Sequence, residues 1–182
     1  MQSNKSAFGT AFKWALISAI TMFVFSMITY MTKAYLNPTL GWVPYILLLL
    51  GMVMAMLEMR KEQGGFISFG EAFKTGFLFS LITAVTASVL SFIMISYIGT
   101  DMIDQIKKMT EGKLLDKGMS EDQIKMAMDI SKKFMTPVWM SVWSFAGLLI
   151  AGTILALIVS AIIKKNRPFL MEPPKDDVVT NG

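Results

Sequence analysis

Apolar positions along this chain neither alternate nor fall on a single helical stripe; they run on without interruption. Four stretches, about Trp14–Thr32, Leu40–Leu57, Thr75–Thr100 and Pro137–Ile163, contain no charged residue. A helix needs about 20 predominantly apolar residues to cross the hydrocarbon core of a bilayer, and each stretch has roughly that length. The pattern predicts an all-α polytopic membrane protein. Its four transmembrane helices would cover about 14–35, 40–57, 71–98 and 137–163, paired as two helical hairpins within a domain spanning 1–165. A signal peptide has an apolar core of about 7–15 residues ahead of a small-residue cleavage site. The first stretch instead runs past Tyr30 to Lys33 and Asn37–Pro38 with no such site, so it is expected to stay as a span.

The polar connections differ in length. Tyr35–Gly41 is a tight turn, Glu58–Lys74 a glycine-bearing loop, and Asp101–Thr136 the one long connection; 166–182 is a proline-rich, charged tail expected to be disordered and cytoplasmic. Four spans put both termini on one side. Nine basic residues fall on that side and eight on the other, so the bare count of the positive-inside rule hardly discriminates. Position does. Lys13, Arg60, Lys61, Lys164, Lys165 and Arg167 sit close to span ends, whereas the lysines of the long loop are interleaved with an equal number of carboxylates. This predicts a multi-pass membrane protein with both termini cytoplasmic. Tyr30, Tyr35, Trp42, Tyr45, Tyr97, Trp139 and Trp143 gather near the other ends of the spans, the headgroup level that Trp and Tyr favour.

Composition sharpens the picture mainly by exclusion. The chain is 54% hydrophobic and 16% charged, against about 45–50% and 25% for soluble domains. It has no cysteine and no histidine, which removes disulfides, thiolate catalysis, iron–sulfur clusters, the commonest metal ligand and the usual neutral-pH proton carrier. Seventeen methionines scattered through spans and loop read as adaptable packing rather than a copper site. There is no HExxH, P-loop, dinucleotide fingerprint or Ser/His/Asp set. No catalytic residue, cofactor or metal site is expected. The basic residues point to topology and anionic lipid rather than nucleic acid.

Two patterns concern assembly. Phe8-Gly9-Thr10-Ala11-Phe12-Lys13 leads into the first span and Phe69-Gly70-Glu71-Ala72-Phe73-Lys74 into the third. A one-residue slip then aligns Ile17-Ser18-Ala19-Ile20-Thr21 with Phe79-Ser80-Leu81-Ile82-Thr83, which suggests a parallel repeat of two hairpins. Small residues recur every four positions, at Gly76, Ser80, Ala84 and Ser88 and at Gly152, Ala156 and Ser160. In lipid such faces permit close backbone approach. They would meet each other or a second copy, packing within one chain being the simpler reading.

In the Glu58–Lys74 connection, Ser68 with Glu71 reads as a capping box. Glu58 could pair with Arg60 or Lys61. Arg60, Ser68, Glu71 and Lys74 form a candidate contact for an anion or lipid headgroup at a helix N-terminus, beside the simpler reading of caps and snorkelling charges. An acid/base site from Glu58, Glu62, Glu71 and Lys74 is conceivable, though nothing in the spacing demands it. In the long loop, Ser120 with Gln123 is a second capping box ahead of an apolar stripe Ile124, Met128, Ser131 and Met135. Ile103, Ile106 and Met109 suggest another amphipathic helix, with Gly112 and Gly118 as breaks. Such helices could lie on the leaflet, cap the bundle or bind a partner.

The run Arg60…Gly65-Phe66-Ile67-Ser68-Phe69-Gly70-Glu71-Ala72-Phe73-Lys74-Thr75-Gly76 ahead of a span resembles the hallmark of bacterial membrane proteins classed as domain of unknown function 4199. The resemblance extends to size, four spans, a long polar connection before the fourth, and a basic tail. It implies an integral inner-membrane protein and assigns no catalytic or binding residue. With no ionisable residue inside the apolar stretches, an ion-coupled carrier is not favoured. The leading reading is a structural, accessory or interaction protein whose partners are membrane lipid and a second copy or another membrane protein. The alternative is a component of a small-solute or lipid transporter or channel, its path lined by Ser18, Thr21, Thr83, Thr86, Ser88, Ser91, Ser144 and Thr153.

Overall fold

The tail expected to be disordered lies, beyond Asn166, outside the residues that the computed structural model describes, 6–166. The described residues form six α-helices: α1 Ala7–Met31, α2 Val43–Glu62, α3 Phe69–Ile93, α4 Met102–Asp116, α5 Glu121–Phe134 and α6 Pro137–Ile163. Two 3-10 turns, Ala34–Leu36 and Pro38–Trp42, connect α1 to α2, and α3 runs on into a π-helical turn, Met94–Ile98. Among the described residues there is no strand beyond a single antiparallel bridge between Ile67 and Lys165.

Caps set where the helices begin. The Ser6 hydroxyl accepts the Gly9 amide, Ser68 and Ser120 each form a full capping box, and Thr136 caps α6 ahead of Pro137. Each satisfies amides that have no partner within the helix. The Ser6 and Ser68 caps lie upstream of the apolar stretches they lead into, so α1 and α3 begin before those stretches, whereas α6 starts where its stretch does. α1 begins at Ala7 rather than near Trp14, and α2 continues past Leu57 through Glu58, Arg60, Lys61 and Glu62. Glu71 and Lys74 likewise ride on the first turns of α3. Carboxylates that the sequence seemed to confine to connections therefore sit on helix ends. Arg60 and Lys61 fall in the last turn of α2, where cations suit the helix dipole. The expected break at Gly112 is absent: α4 runs through it, since a mid-helix glycine costs only about 1 kcal/mol. Gly118, at a φ of 73°, does end the helix.

Among the described residues, four helices are long and apolar enough to cross a membrane, and only 28–33% of the most apolar window of each is buried within the protein. Large side chains such as Ile20, Ile28, Leu50, Val89, Ile150 and Ile158 point outward, each more than half exposed. Water would not tolerate such a surface on a monomer; lipid would. The protein is a multi-pass membrane protein.

α3 and α2 form the short diagonal of the bundle, both touching α1 on one side and α6 on the other. α1 and α3 run parallel, so Ser6, Glu62, Ile67 and Lys165 share one end, here the terminal end. The α1–α2 turn and the α4–α5 hairpin share the opposite, loop end. Aligning Phe8 with Phe69, without the slip, puts Ala11, Ala15 and Ala19 of α1 opposite Ala72, Gly76 and Ser80 of α3, and all six are buried. The Phe8–Phe12 and Phe69–Phe73 rings stack alike, with centroids 5.9 and 6.2 Å apart. The hairpins nevertheless pack unequally: α2 lies against both α3 and α6, whereas the main neighbours of α1 are α2 and α3.

Candidate functional site

At the terminal end, two glycines shape the α2–α3 connection. Gly64 and Gly65 take φ of 77° and 90°, a region that side chains strongly disfavour. The Gly65 amide donates to the Arg60 carbonyl (2.9 Å), and Arg60 Nε donates back to the Gly65 carbonyl (3.0 Å). Ser68 Oγ donates to Glu71 Oε2 (2.8 Å), which also accepts the Ser68 amide, and Gln63 Nε2 donates to Glu71 Oε1. Of the four candidate headgroup contacts, the structure brings together Ser68 and Glu71. Arg60 belongs to its own turn, and Lys74 is exposed on the next turn of α3. The N-terminus of α3, where an anion would sit, is already served by the Glu71 carboxylate.

Among the described residues, a cation that sequence reasoning did not assign to this pair stands near Ser68 and Glu71: Lys165. It lines the same cleft, its ammonium lies 5.6 Å from the Phe66 ring centroid, and its backbone exchanges two hydrogen bonds with Ile67 (3.0 and 2.9 Å). A bridge between segments so far apart in the chain leaves no local signal. A similar surprise concerns Glu58. It accepts Lys13 Nζ at 2.5 Å and Trp14 Nε1 at 2.7 Å, while Glu62 accepts the buried Thr10 hydroxyl at 3.3 Å. These contacts cross from α2 to α1. The carboxylates thus have different partners and do not converge on Lys74 as an acid/base site.

Above this clamp lies the seam of small residues. A Cβ on Gly152 would stand 2.5 Å from Ser80 Oγ, and one on Gly76 would stand 2.2 Å from Met56 Cε and 3.0 Å from Ala156 Cβ. A Cβ on Gly51 would meet Ser18 Oγ and the Phe79 ring. The seam therefore joins α3 to α6 with α2 wedged against both. Ala84 and Ser160 are buried, Ser160 with its hydroxyl 4.0 Å from Met56 Sδ; Ser88 is half-buried, its hydroxyl bonded to the Val85 carbonyl.

Towards the loop end the packing loosens. An opening of about 130 Å³ is lined by Met22, Ser26, Ala87, Ser91, Met94 and Ser144, among others. Met94 begins the π-helical turn, and Ser26 Oγ lies 3.0 Å from its sulfur. Other hydroxyls named as a possible path turn back on their own helices: Thr21 donates to the Ile17 carbonyl and Thr153 to that of Leu149. Thr83 is fully buried, and among the described residues nothing pairs with its hydroxyl.

A latch closes the loop end. The Tyr30 hydroxyl donates to Asp101 Oδ1 (2.7 Å), Gln105 Nε2 donates to the other carboxylate oxygen, and the Tyr35 hydroxyl donates to Gln105 Oε1 (2.6 Å). Asp101 is thereby held below the usual carboxylate range, chiefly by the Tyr30 hydrogen bond, with Gln105 and the charge of Lys33 adding to it. On α5, Asp129 is lowered by its hydrogen bond and ion pair with Lys132.

A family model described as protein of unknown function (DUF4199) matches residues 13–165, most of the chain. The chain belongs to that family. No curated protein and no solved structure matches it. The DUF4199 match runs from the lysine of the Glu58 clamp to the lysine of the Ile67 bridge, so both features of the terminal end fall within the family's extent.

Proposed function

We propose that this DUF4199 protein is a structural or accessory component of a bacterial inner membrane, acting through contacts with lipid and with other membrane proteins rather than through a reaction or a pore. Both termini are placed in the cytoplasm, because the cations closest to span ends gather at the terminal end. The observation that carries the reading is the seam. Gly51, Gly76 and Gly152 bring the four spans together so closely that even one added methyl would collide with a neighbour. A bundle sealed in this way through its terminal half is a support, and what it supports is the α4–α5 hairpin at the other end. The tight fit also argues that the small-residue faces are spent within the chain rather than on a second copy.

The deciding experiment is crosslinking in native membranes followed by purification of the full chain. Recovery of a stoichiometric membrane-protein partner, with no solute flux in liposomes reconstituted with the pure protein, is the expected result. Selective flux from the pure protein alone would overturn the reading in favour of a transporter or channel component. That alternative has its own supporting observations, the serine-lined opening and the buried Thr83 hydroxyl with no partner among the described residues.

A further inference from the structure

α5 carries two apolar stripes. Ile124 and Met128, the stripe legible in the sequence, are buried, and α4 is the helix that α5 chiefly packs against. A second stripe, Met126, Ile130 and Phe134, recurs every four residues on another face and is 62, 62 and 47% exposed. The remaining arc of α5 carries Glu121, Asp122, Lys125, Asp129, Lys132 and Lys133, all exposed. Helical geometry places Lys133 beside Met126, at the margin of the uncovered stripe.

What covers this stripe is indicated by where it leads. The Phe134 ring meets the Trp139 ring edge-on at 5.9 Å. Trp139 lies in the first turn of α6, where Val138, Val142 and Trp143 are exposed on the span. Trp42 and Tyr97, 70 and 76% exposed at the same end of the bundle, complete a belt of the kind that marks headgroup level. The uncovered face of α5 is thus continuous, through one aromatic contact, with the exposed apolar surface of a candidate span. The hairpin is also held down at that level, since Asp101 and Gln105 bond to Tyr30 and Tyr35 at the tops of α1 and its following turn.

We propose that α5 is an interfacial helix, with Met126, Ile130 and Phe134 inserted among the acyl chains of the leaflet at the loop end, Lys133 at the phosphates, and Asp129 and Lys125 facing water. This goes beyond the accessory function argued above, and it requires only that the four spans cross a bilayer. Apolar burial in the leaflet offsets the cost of exposing these side chains, and it leaves the charged arc of α5 as the surface offered to the aqueous compartment.

The absence of cysteine makes the test direct, since each single-cysteine variant carries one nitroxide label and no native thiol needs removal. Met126→Cys, Ile130→Cys, Phe134→Cys, Lys125→Cys and Asp129→Cys would be placed singly in the full chain and reconstituted into phosphatidylethanolamine/phosphatidylglycerol vesicles. Collision with oxygen, which concentrates in lipid, should exceed collision with a water-soluble nickel chelate at the first three positions, and the order should reverse at the last two. Greater chelate access at Met126→Cys and Ile130→Cys would sink the idea. Protection from both reagents would sink it too, by showing that protein, a partner or a second copy, covers the stripe.

Discussion

The two halves of this bundle are packed by different rules. In the terminal half, glycines and alanines let helices approach closely, and polar ties, among them Glu58 to Lys13 and Trp14, Glu62 to Thr10 and Ile67 to Lys165, fasten the ends. In the loop half, the π-helical turn, three serines and a small opening replace that seam, and the fastening passes to tyrosine hydroxyls and Asp101. Helices in lipid gain little from hydrophobic drive and associate through close packing and hydrogen bonds. A half whose helices meet at glycine and alanine is therefore tightly packed, and a half that leaves an opening has room to adjust. The contrast suggests an anchored base carrying an adaptable platform.

The largest effect should come from adding one side chain to each half. Gly152→Leu drives atoms into Ser80 and should destabilise the fold by on the order of 3 kcal/mol or more. Ala87→Leu adds bulk to a wall of the opening and should leave stability within about 1 kcal/mol of wild type. Thermal unfolding in one detergent compares them. Equal losses would erase the distinction between the halves.

That distinction was only half visible in the sequence. The spans, the cap residues and the four-residue spacing of Gly76, Ser80, Gly152 and Ala156 are local patterns, and local patterns are what a single sequence records. The partner of Glu58 is not local: spacing along α2 suggested Arg60 or Lys61, whereas the fold adds Lys13 and Trp14 from another helix. The surroundings of the candidate headgroup residues are likewise set by contacts that spacing along the chain does not record. Arg60 is turned aside by its bond to the Gly65 carbonyl, and Lys165 arrives from the end of α6. The second stripe of α5 was overlooked because Ile124 and Met128 already satisfied the expected pattern.

The clamp of the terminal end gives the next effect. Glu58→Ala removes the acceptor of both Lys13 and Trp14 and should cost about 1–2 kcal/mol, discounted because Lys13 is partly exposed. Glu58→Gln keeps an acceptor for the indole and should lose less. Chemical unfolding in detergent micelles measures both, and an equally large loss in the two variants would assign the energy to charge alone.

Thr83 lies between the two halves, and its hydroxyl is buried without a partner among the described residues. Thr83→Val keeps the shape and removes the stranded polar group, so stability should rise by about 1 kcal/mol. A fall in stability would give that hydroxyl a working partner.

The smallest effect is a matter of pH at the loop end. Asp101 has a lower pKa folded than unfolded, chiefly because Tyr30 donates to its carboxylate. The latch is therefore at full strength above the ordinary carboxylate pKa of about 3.9 and is lost as pH falls through the lowered folded value. A nitroxide on Lys108→Cys, exposed on α4, should report unchanged mobility from neutral pH down to about pH 4 and rising mobility below it. With Asp101→Asn added, the carboxylate and its titration are gone, and mobility should be raised already at neutral pH with no acid transition of its own. A wild-type transition well above pH 4 would mean that the tyrosine bond does not hold the carboxylate, and the hairpin would then owe its position to the lipid contact of α5 alone.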